Sequence, residues 1–397
     1  MQNTNVAVNE KDSTLYDGGR TDAVLRPIVY IGFVTGSGGD AVQMMELARG
    51  VQERGHEVRI IVSDTPATRI FAQRCREMNV SVECSPLVMA CQTSGTDQSL
   101  LKIIKLLRRF RHSTIHIYTG DLVLPRKAMI ALRLMRLQEV FVTVQNPFDY
   151  LDPLSPRARF WAKTVQHFIT RVICPSNFSY RIQRRLCVPE VKLAVIRNGV
   201  NPLQYAHGSA DVVRKGALGH LPQQAQILLF TARMEIDKGP MIALAAFQRI
   251  APDMPNIHFV FVGLGSLQDE LRASVHPALK DRVHFVGFQT NIPDWLAAAT
   301  IWIHASESEN CSLALLEALA AGCPIVATMC PGNDEVLVPG QNALTFTPGD
   351  IDTCTNAMRR LLVDDQLRLS LTIAARETAD RFSLQNMAAD HITNCYR

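Results

Sequence analysis

The chain has 397 residues, which at roughly 100–200 residues per domain suggests two domains or three. Apolar residues make up 47% and charged residues 20%, which supports a hydrophobic core and excludes a mainly disordered or low-complexity protein. The net charge of +4 argues against a nucleic-acid binder, but residues 1–200 hold 27 Lys and Arg against 17 Asp and Glu, and residues 201–397 hold 14 against 20. Residues 1–25, rich in Asn, Asp, Thr and Gly, read as a mobile tail. Val29–Val34 reads as a strand, Val42–Arg54 as a helix and Val58–Ser63 as the next strand. Apolar runs at Ile115–Tyr118, Val140–Val144 and Val172–Cys174 follow, separated by helical stretches. The rhythm restarts after about residue 205. Ile227–Thr231, His258–Gly263, Val283–Val286, Ile301–His304 and Ile325–Ala327 read as strands, with Met241–Ile250 and Leu313–Ala321 as helices among them.

Strands alternating with helices imply parallel sheets covered on both faces. Two such series exceed one open sheet of ordinary size. The expected fold is therefore α/β, with two facing Rossmann-like doubly wound domains at residues 26–204 and 205–377 and a linker near Asn198–Gly208. Ligands in such sheets sit beyond the carboxyl ends of the strands, so the cleft between the domains is the expected site.

The ten cysteines form no C-x-x-C pair, and no His stands at zinc-finger spacing. They read as reduced, mostly buried thiols, which with the lack of a basic-then-apolar leader or a span-length apolar run points to the cytoplasm.

Three loops could carry chemistry. The first, Thr35-Gly36-Ser37-Gly38-Gly39-Asp40-Ala41, opens a helix, where backbone amides can approach a phosphate. Gly36, Gly38 and Ala41 also fit the dinucleotide fingerprint, with Asp64 placed as a ribose-binding acid, so an NAD-dependent oxidoreductase is one reading; a plain tight turn is another. The second, Thr231–Gly239, sets Arg233 and Lys238 at a strand's carboxyl end, either as a solvated surface loop or as two cations for a diphosphate leaving group. The third runs from Glu309 to Gly322. Ser312 is its expected N-cap and Gly322 its C-cap, so Glu309 precedes a helix start and Glu317 lies inside an otherwise apolar helix, where an acid is costly without a partner. Carboxylates for hydroxyl groups beside a diphosphate site suggest a nucleotide sugar.

With Glu309 and Glu317 spaced as E-x7-E, and Arg233 followed by Lys238-Gly239, the chain resembles the retaining glycosyltransferases of family 4, which have the GT-B fold. The resemblance covers about Pro27 to Tyr396, with further support at Arg54–Val58, Pro175–Phe178, Arg197–Val200 and Arg381–Ser383. It implies that Glu317 binds the nucleotide ribose, and that Glu309 with the amides of Asn310, Cys311, Ser312 and Leu313 holds the donor sugar and phosphate. It implies that Arg233 and Lys238 bind the diphosphate, with Gly38 and Gly39 closing over it. It further implies a metal-independent reaction that needs no cofactor beyond the donor, and a last helix (378–397) that returns to the first domain. Phe288 joins the donor-binding set from the loop Val286–Phe288.

The chain departs from the family at Gln145, followed by Asn146, where His is usual; a neutral amide cannot serve as a base near pH 7. Ser312 replaces a usual Gly, and Leu264 a usual Asp. His116, in the run Ile115–Tyr118 and expected to face the cleft, is then the best imidazole on the acceptor side, although a hydrogen-bonded core His is the plainer reading. Glu335 reads as a supporting residue.

Leu100–Arg111 forms a basic amphipathic stretch in which Lys102, Lys105, Arg108 and Arg109 share a face. It reads as a sheet-covering helix with a solvated face, or as a contact with anionic lipid at the inner face of the membrane. The expected function is retaining transfer of a sugar, most simply from a UDP-sugar, to a hydroxyl of a small-molecule, lipid or phosphorylated acceptor. A non-catalytic nucleotide-sugar-binding protein and the NAD-dependent oxidoreductase are the alternatives.

Overall fold

The computed structural model describes residues 25–33, 38–86, 88, 100–120, 126–145, 160, 163–164 and 166–396, with the backbone alone at 126–129. Its first sheet is built from β1 (Ile28–Gly32), β2 (Val58–Val62), β3 (Ser81–Cys84), β4 (Thr114–Thr119), β5 (Val140–Val144), β6 (Arg171–Cys174) and β7 (Leu193–Val195). A second contains β8 (Gln226–Thr231), β9 (Ile257–Val262), β10 (Val283–Gly287), β11 (Ile301–His304), β12 (Ile325–Thr328) and β13 (Leu344–Phe346). All ladders between these strands are parallel.

The central strands are mostly apolar because helices cover both faces. β1, β5 and β9 are buried at every residue. The edge strands β3, β7 and β13, absent from the expected series, are short and less buried.

Strand order locates the crevices. The first sheet runs β3-β2-β1-β4-β5-β6-β7 and the second β10-β9-β8-β11-β12-β13, so the order reverses between β1 and β4 and again between β8 and β11. Such a reversal splays adjacent loops apart at the strands' carboxyl ends and leaves room for a ligand. The loops leaving these strands include the one ending at Gly38–Gly39, the one carrying Arg233 and Lys238, and the one carrying Glu309.

The chain passes between the sheets twice, and the two passages are hydrogen-bonded. Val200 N donates to Phe382 O and Leu384 N to Val200 O, both at 2.9 Å. The last helix, Leu384–Cys395, then packs on the helix Gly39–Gln52 of the first domain. Leu384, Met387, Ala388, Cys395 and Tyr396 join that domain's core. The nine described cysteines are free thiols, seven of them buried.

Candidate functional site

The helix Leu313–Ala321 begins and ends as its sequence implies. Ser312 Oγ accepts from Leu315 N, and Gly322 closes the helix in the left-handed conformation. The amides of Leu313 and Ala314 have no backbone partner among the described residues, so this helix presents a positive end. Gly39, the first residue of the other domain's helix, lies against it: a Cβ on Gly39 would come 3.2 Å from Leu313 Cδ1. Two helix N-termini, one from each domain, thus meet across the cleft. A bulky residue at 39 would fill the space between them.

The charged side chains converge at the same place. Lys238 Nζ donates to Glu309 Oε1 at 2.8 Å, and Ser306 Oγ donates to that same oxygen at 2.8 Å. His304, fully buried and stacked on Trp302, brings Nε2 to 3.5 Å of it. Burial alone would raise the Glu309 carboxyl, but Lys238 and Ser306 outweigh it and hold it below the usual carboxylate range. Burial pushes His304 down to about 4, so its imidazole is neutral.

Lys238 is anchored by the glycine after it. Gly239 has φ 61° and stands where a Cβ would come 2.2 Å from Ala305 O, so a side chain there would push the lysine loop off β11. Gly332, with φ 88°, likewise lets its loop pack beneath Glu309 and Asn310. Arg233 is 65% exposed and 3.7 Å from Asp237, free to swing toward an anion. Asp40, in the first turn of the facing helix, feels the Arg233 charge although desolvation raises its carboxyl. That acid was legible only as a helix-start residue; its closeness to Arg233 comes from the facing of the domains.

Glu317 is half-buried and takes a hydrogen bond at 2.7 Å from the hydroxyl of Tyr205. Desolvation raises its carboxyl to about 7, against the opposing effect of that hydrogen bond. Tyr205 was not among the expected residues, and its short helix, Pro202–Ala206, has no charged side chain to mark it. Phe288 is 56% exposed beyond the end of β10, and Leu264, whose side chain lies near Gly287, is 53% exposed.

Several expected roles change. Asn310, whose backbone amide is expected at the donor, turns its side chain to the first domain. Its Nδ2 donates to Gln145 O at 3.0 Å and Val144 O at 3.2 Å, and its Oδ1 accepts from Ser176 Oγ. Cys311 O accepts from Asn198 Nδ2 at 2.9 Å, while burial pushes the Cys311 thiol up to about 12. Gln145 lies at this junction, its side chain 3.5 Å from that of Asn198; Asn146 and Gly36 lie outside the described residues. Glu335 completes the latch by accepting from Asn177 Nδ2, Phe178 N and Arg197. Asp64 is engaged by Arg69 at 2.7 Å.

His116 does not reach the cleft. It sits within β4, fully buried, with Nδ1 on the Tyr396 hydroxyl and Nε2 2.7 Å from Thr143 Oγ1, and burial holds it well below the usual imidazole range. On the basic helix, Leu100–Arg108, Ile103, Leu106 and Leu107 face the core while Lys102, Lys105 and Arg108 face solvent. Arg109 is held by both oxygens of Glu83, at 2.8 and 2.9 Å, so its charge is already paired.

The family model described as Glycosyltransferase Family 4 matches residues 37–203, and the one described as Glycosyl transferases group 1 matches residues 225–364. The chain belongs to this glycosyltransferase family. It is 25% identical to the UDP-Gal:alpha-D-GlcNAc-diphosphoundecaprenol alpha-1,3-galactosyltransferase of Escherichia coli, over 83% of this chain and 88% of that protein. It is 23% identical to the 2-deoxystreptamine glucosyltransferase of Streptomyces kanamyceticus, over 87% of this chain and 96% of that one. The solved structure of Anabaena Alr3699/HepE in complex with UDP and glucose shares the fold with TM-score 0.77 at 20% identity, over 92% of this glycosyltransferase and 98% of that chain. Among the described residues no helix is long and apolar enough to cross a membrane.

Proposed function

We propose that this glycosyltransferase moves a sugar from a UDP-sugar to a hydroxyl of an anionic, lipid-linked acceptor at the cytoplasmic face of a membrane, with retention at the anomeric carbon. The observation that carries the donor half is the meeting of two helix N-termini with Arg233 and the Lys238–Glu309 pair. That geometry supplies amide dipoles and two cations to a diphosphate as negative charge develops on the leaving group. Glu309 offers its Oε2 to a sugar hydroxyl, and Glu317 takes the ribose. The exposed apolar side chains Leu264 and Phe288 are offered to the base. Retention rests on the resemblance of the E-x7-E spacing and its companions to retaining enzymes; in this reading the departing β-phosphate oxygen accepts the acceptor's proton.

The acceptor half is supported by the positive first half of the chain and by the acceptor named for the E. coli relative. Leu101 stands 74% exposed beside Lys102 and Lys105, and Ile130 and Leu134 are exposed on the neighbouring helix Arg126–Met135. Apolar side chains among cations that have no acidic partner among the described residues suit an anionic bilayer surface. Binding to anionic liposomes is expected to weaken with salt and to be lost on replacing Lys102, Lys105 and Arg108 by Glu. Unchanged co-sedimentation of that variant would remove the helix from the reading.

The donor is tested by thermal shift. UDP at about a hundred times its Kd should stabilise the protein by roughly 2.7 kcal/mol, and NAD should not. A shift with NAD and none with UDP would overturn the proposal. Turnover of a UDP-sugar separates an enzyme from a nucleotide-sugar-binding protein.

Binding should also depend on pH. With the Glu317 carboxyl near 7, its ionised fraction, the form that accepts from ribose hydroxyls, rises between pH 6 and pH 8. UDP affinity should therefore increase by up to roughly tenfold over that range. Glu317→Gln separates this from titration of the UDP phosphate: the part of the slope that Glu317 causes disappears in the variant. A slope identical in both proteins would exclude Glu317.

A further inference from the structure

We infer that Tyr205 positions Glu317 for the nucleotide, holding one carboxylate oxygen so that the other is presented to the ribose. The inference rests on the reading of Glu317 as the ribose-binding group. Tyr205 lies on the segment joining the two sheets, just after the hydrogen-bonded passage at Val200, and its ring packs against the core beneath the helix Leu313–Ala321. Its hydroxyl meets Glu317 Oε1 at 2.7 Å.

A glutamate on a helix surface loses rotamer freedom when it binds a ligand, and that loss weakens binding. Fixing the side chain beforehand removes much of that cost from the binding step. A carboxylate has two oxygens and about four lone-pair sites, so one donor on Oε1 leaves Oε2 free to accept from ribose hydroxyls. The Tyr205 hydroxyl can only donate to an ionised Glu317, so it also favours the charged form against desolvation. The charges acting on Tyr205 from the first domain are Glu46, on the helix Gly39–Gln52, and Arg74, on the helix Pro66–Glu77. Because Tyr205 stands on the connecting segment, the orientation of the ribose ligand depends on how that segment is seated.

Tyr205→Phe keeps the ring in the core and removes only the hydroxyl. Calorimetry with UDP and with 2′,3′-dideoxy-UDP, on the wild type, Tyr205→Phe, Glu317→Ala and the double variant, reads the effect. UDP should bind Tyr205→Phe about 5- to 10-fold more weakly, as loss of a hydrogen bond to a charged group implies, while dideoxy-UDP binds it as it binds the wild type. The hydroxyl's removal should have no further effect in the Glu317→Ala background, and in turnover the change should fall on donor KM rather than kcat. If Tyr205→Phe keeps wild-type discrimination between the two nucleotides while Glu317→Ala loses it, the role of Tyr205 is overturned and the ribose reading stands. Equal weakening of both nucleotides by Tyr205→Phe marks a structural role and also overturns the inference. If Glu317→Ala itself retains the discrimination, the ribose reading falls and takes this inference with it.

Discussion

Lys238→Ala is expected to lower kcat by roughly 10²–10³ and to destabilise the protein by about 3 kcal/mol, whereas Arg233→Ala lowers kcat comparably with little change in Tm. The two cations serve one leaving group but sit in different surroundings. Lys238 is 17% exposed and pairs with Glu309, which is 11% exposed; its removal leaves a carboxylate in the interior with Ser306 as its remaining hydrogen-bond donor among the described residues. Breaking a buried pair from one side carries the desolvation penalty of the partner left behind. Arg233 is 65% exposed and faces Asp237 at 3.7 Å, a pair whose loss is nearly neutral for folding. Steady-state kinetics and thermal melting on both variants check the contrast. A folded Arg233→Ala enzyme with near-normal turnover would exclude its role at the diphosphate, and an unchanged melt for Lys238→Ala would exclude the buried pair.

The second large effect is expected at the far end of the chain. Tyr396 is 4% exposed and packs its ring against Tyr30, His116 and Phe141. Its hydroxyl accepts from Tyr30 at 3.0 Å and bonds His116 Nδ1. Tyr396→Ala should cost about 3–5 kcal/mol, the range for emptying an aromatic site, and lower Tm by on the order of 10 °C. Tyr396→Phe should cost about 1–2 kcal/mol, through the buried partners left unpaired. The Ala variant should also lose kcat/KM, because the last helix braces the helix whose start at Gly39 forms one wall of the diphosphate site. An Ala variant that melts with the wild type would show that this helix is no part of the folded core.

The same cluster makes the fold acid-sensitive. Burial pushes His391 down to about 4 and holds His116 well below its ordinary value, so both are neutral in the folded state. In the unfolded chain they gain protons near pH 6.5. Stability is therefore fully present above that pH and declines as pH falls from about 6.5 towards 4.

Much of the fold was legible because the central strands are buried on both faces. Val140–Val144 and Ile301–His304 are predominantly apolar runs, and the structure has strands at those residues. The edge strands Ser81–Cys84 and Leu193–Val195 carry weaker signals, because one flank faces solvent and tolerates polar residues. In the site, the helix Leu313–Ala321 was readable from its caps, since Ser312 and Gly322 act on their own neighbours. His116 misled because position along a strand says nothing of what covers it. Here the cover is Tyr396, 280 residues further on. The side-chain partners of Asn310 were out of reach for a related reason. Asn310 stands beside the donor residues in sequence, but its partners are Val144, Gln145 and Ser176 on the other domain.

What the sequence determined by itself is whatever depends on near neighbours along the chain: strand and helix positions, helix caps, and the loops at strand ends that bear Arg233, Lys238 and Glu309. What only the tertiary structure decided is which groups share an oxygen or a hydroxyl. It joined Lys238 and Ser306 on Glu309, set Tyr205 on Glu317, brought Asp40 near Arg233, and sealed His116 beneath the C-terminus. Such pairings follow from the order of strands in two sheets and the facing of two domains. These long-range choices are stabilised by the burial of whole surfaces, and no local pattern of residues encodes them.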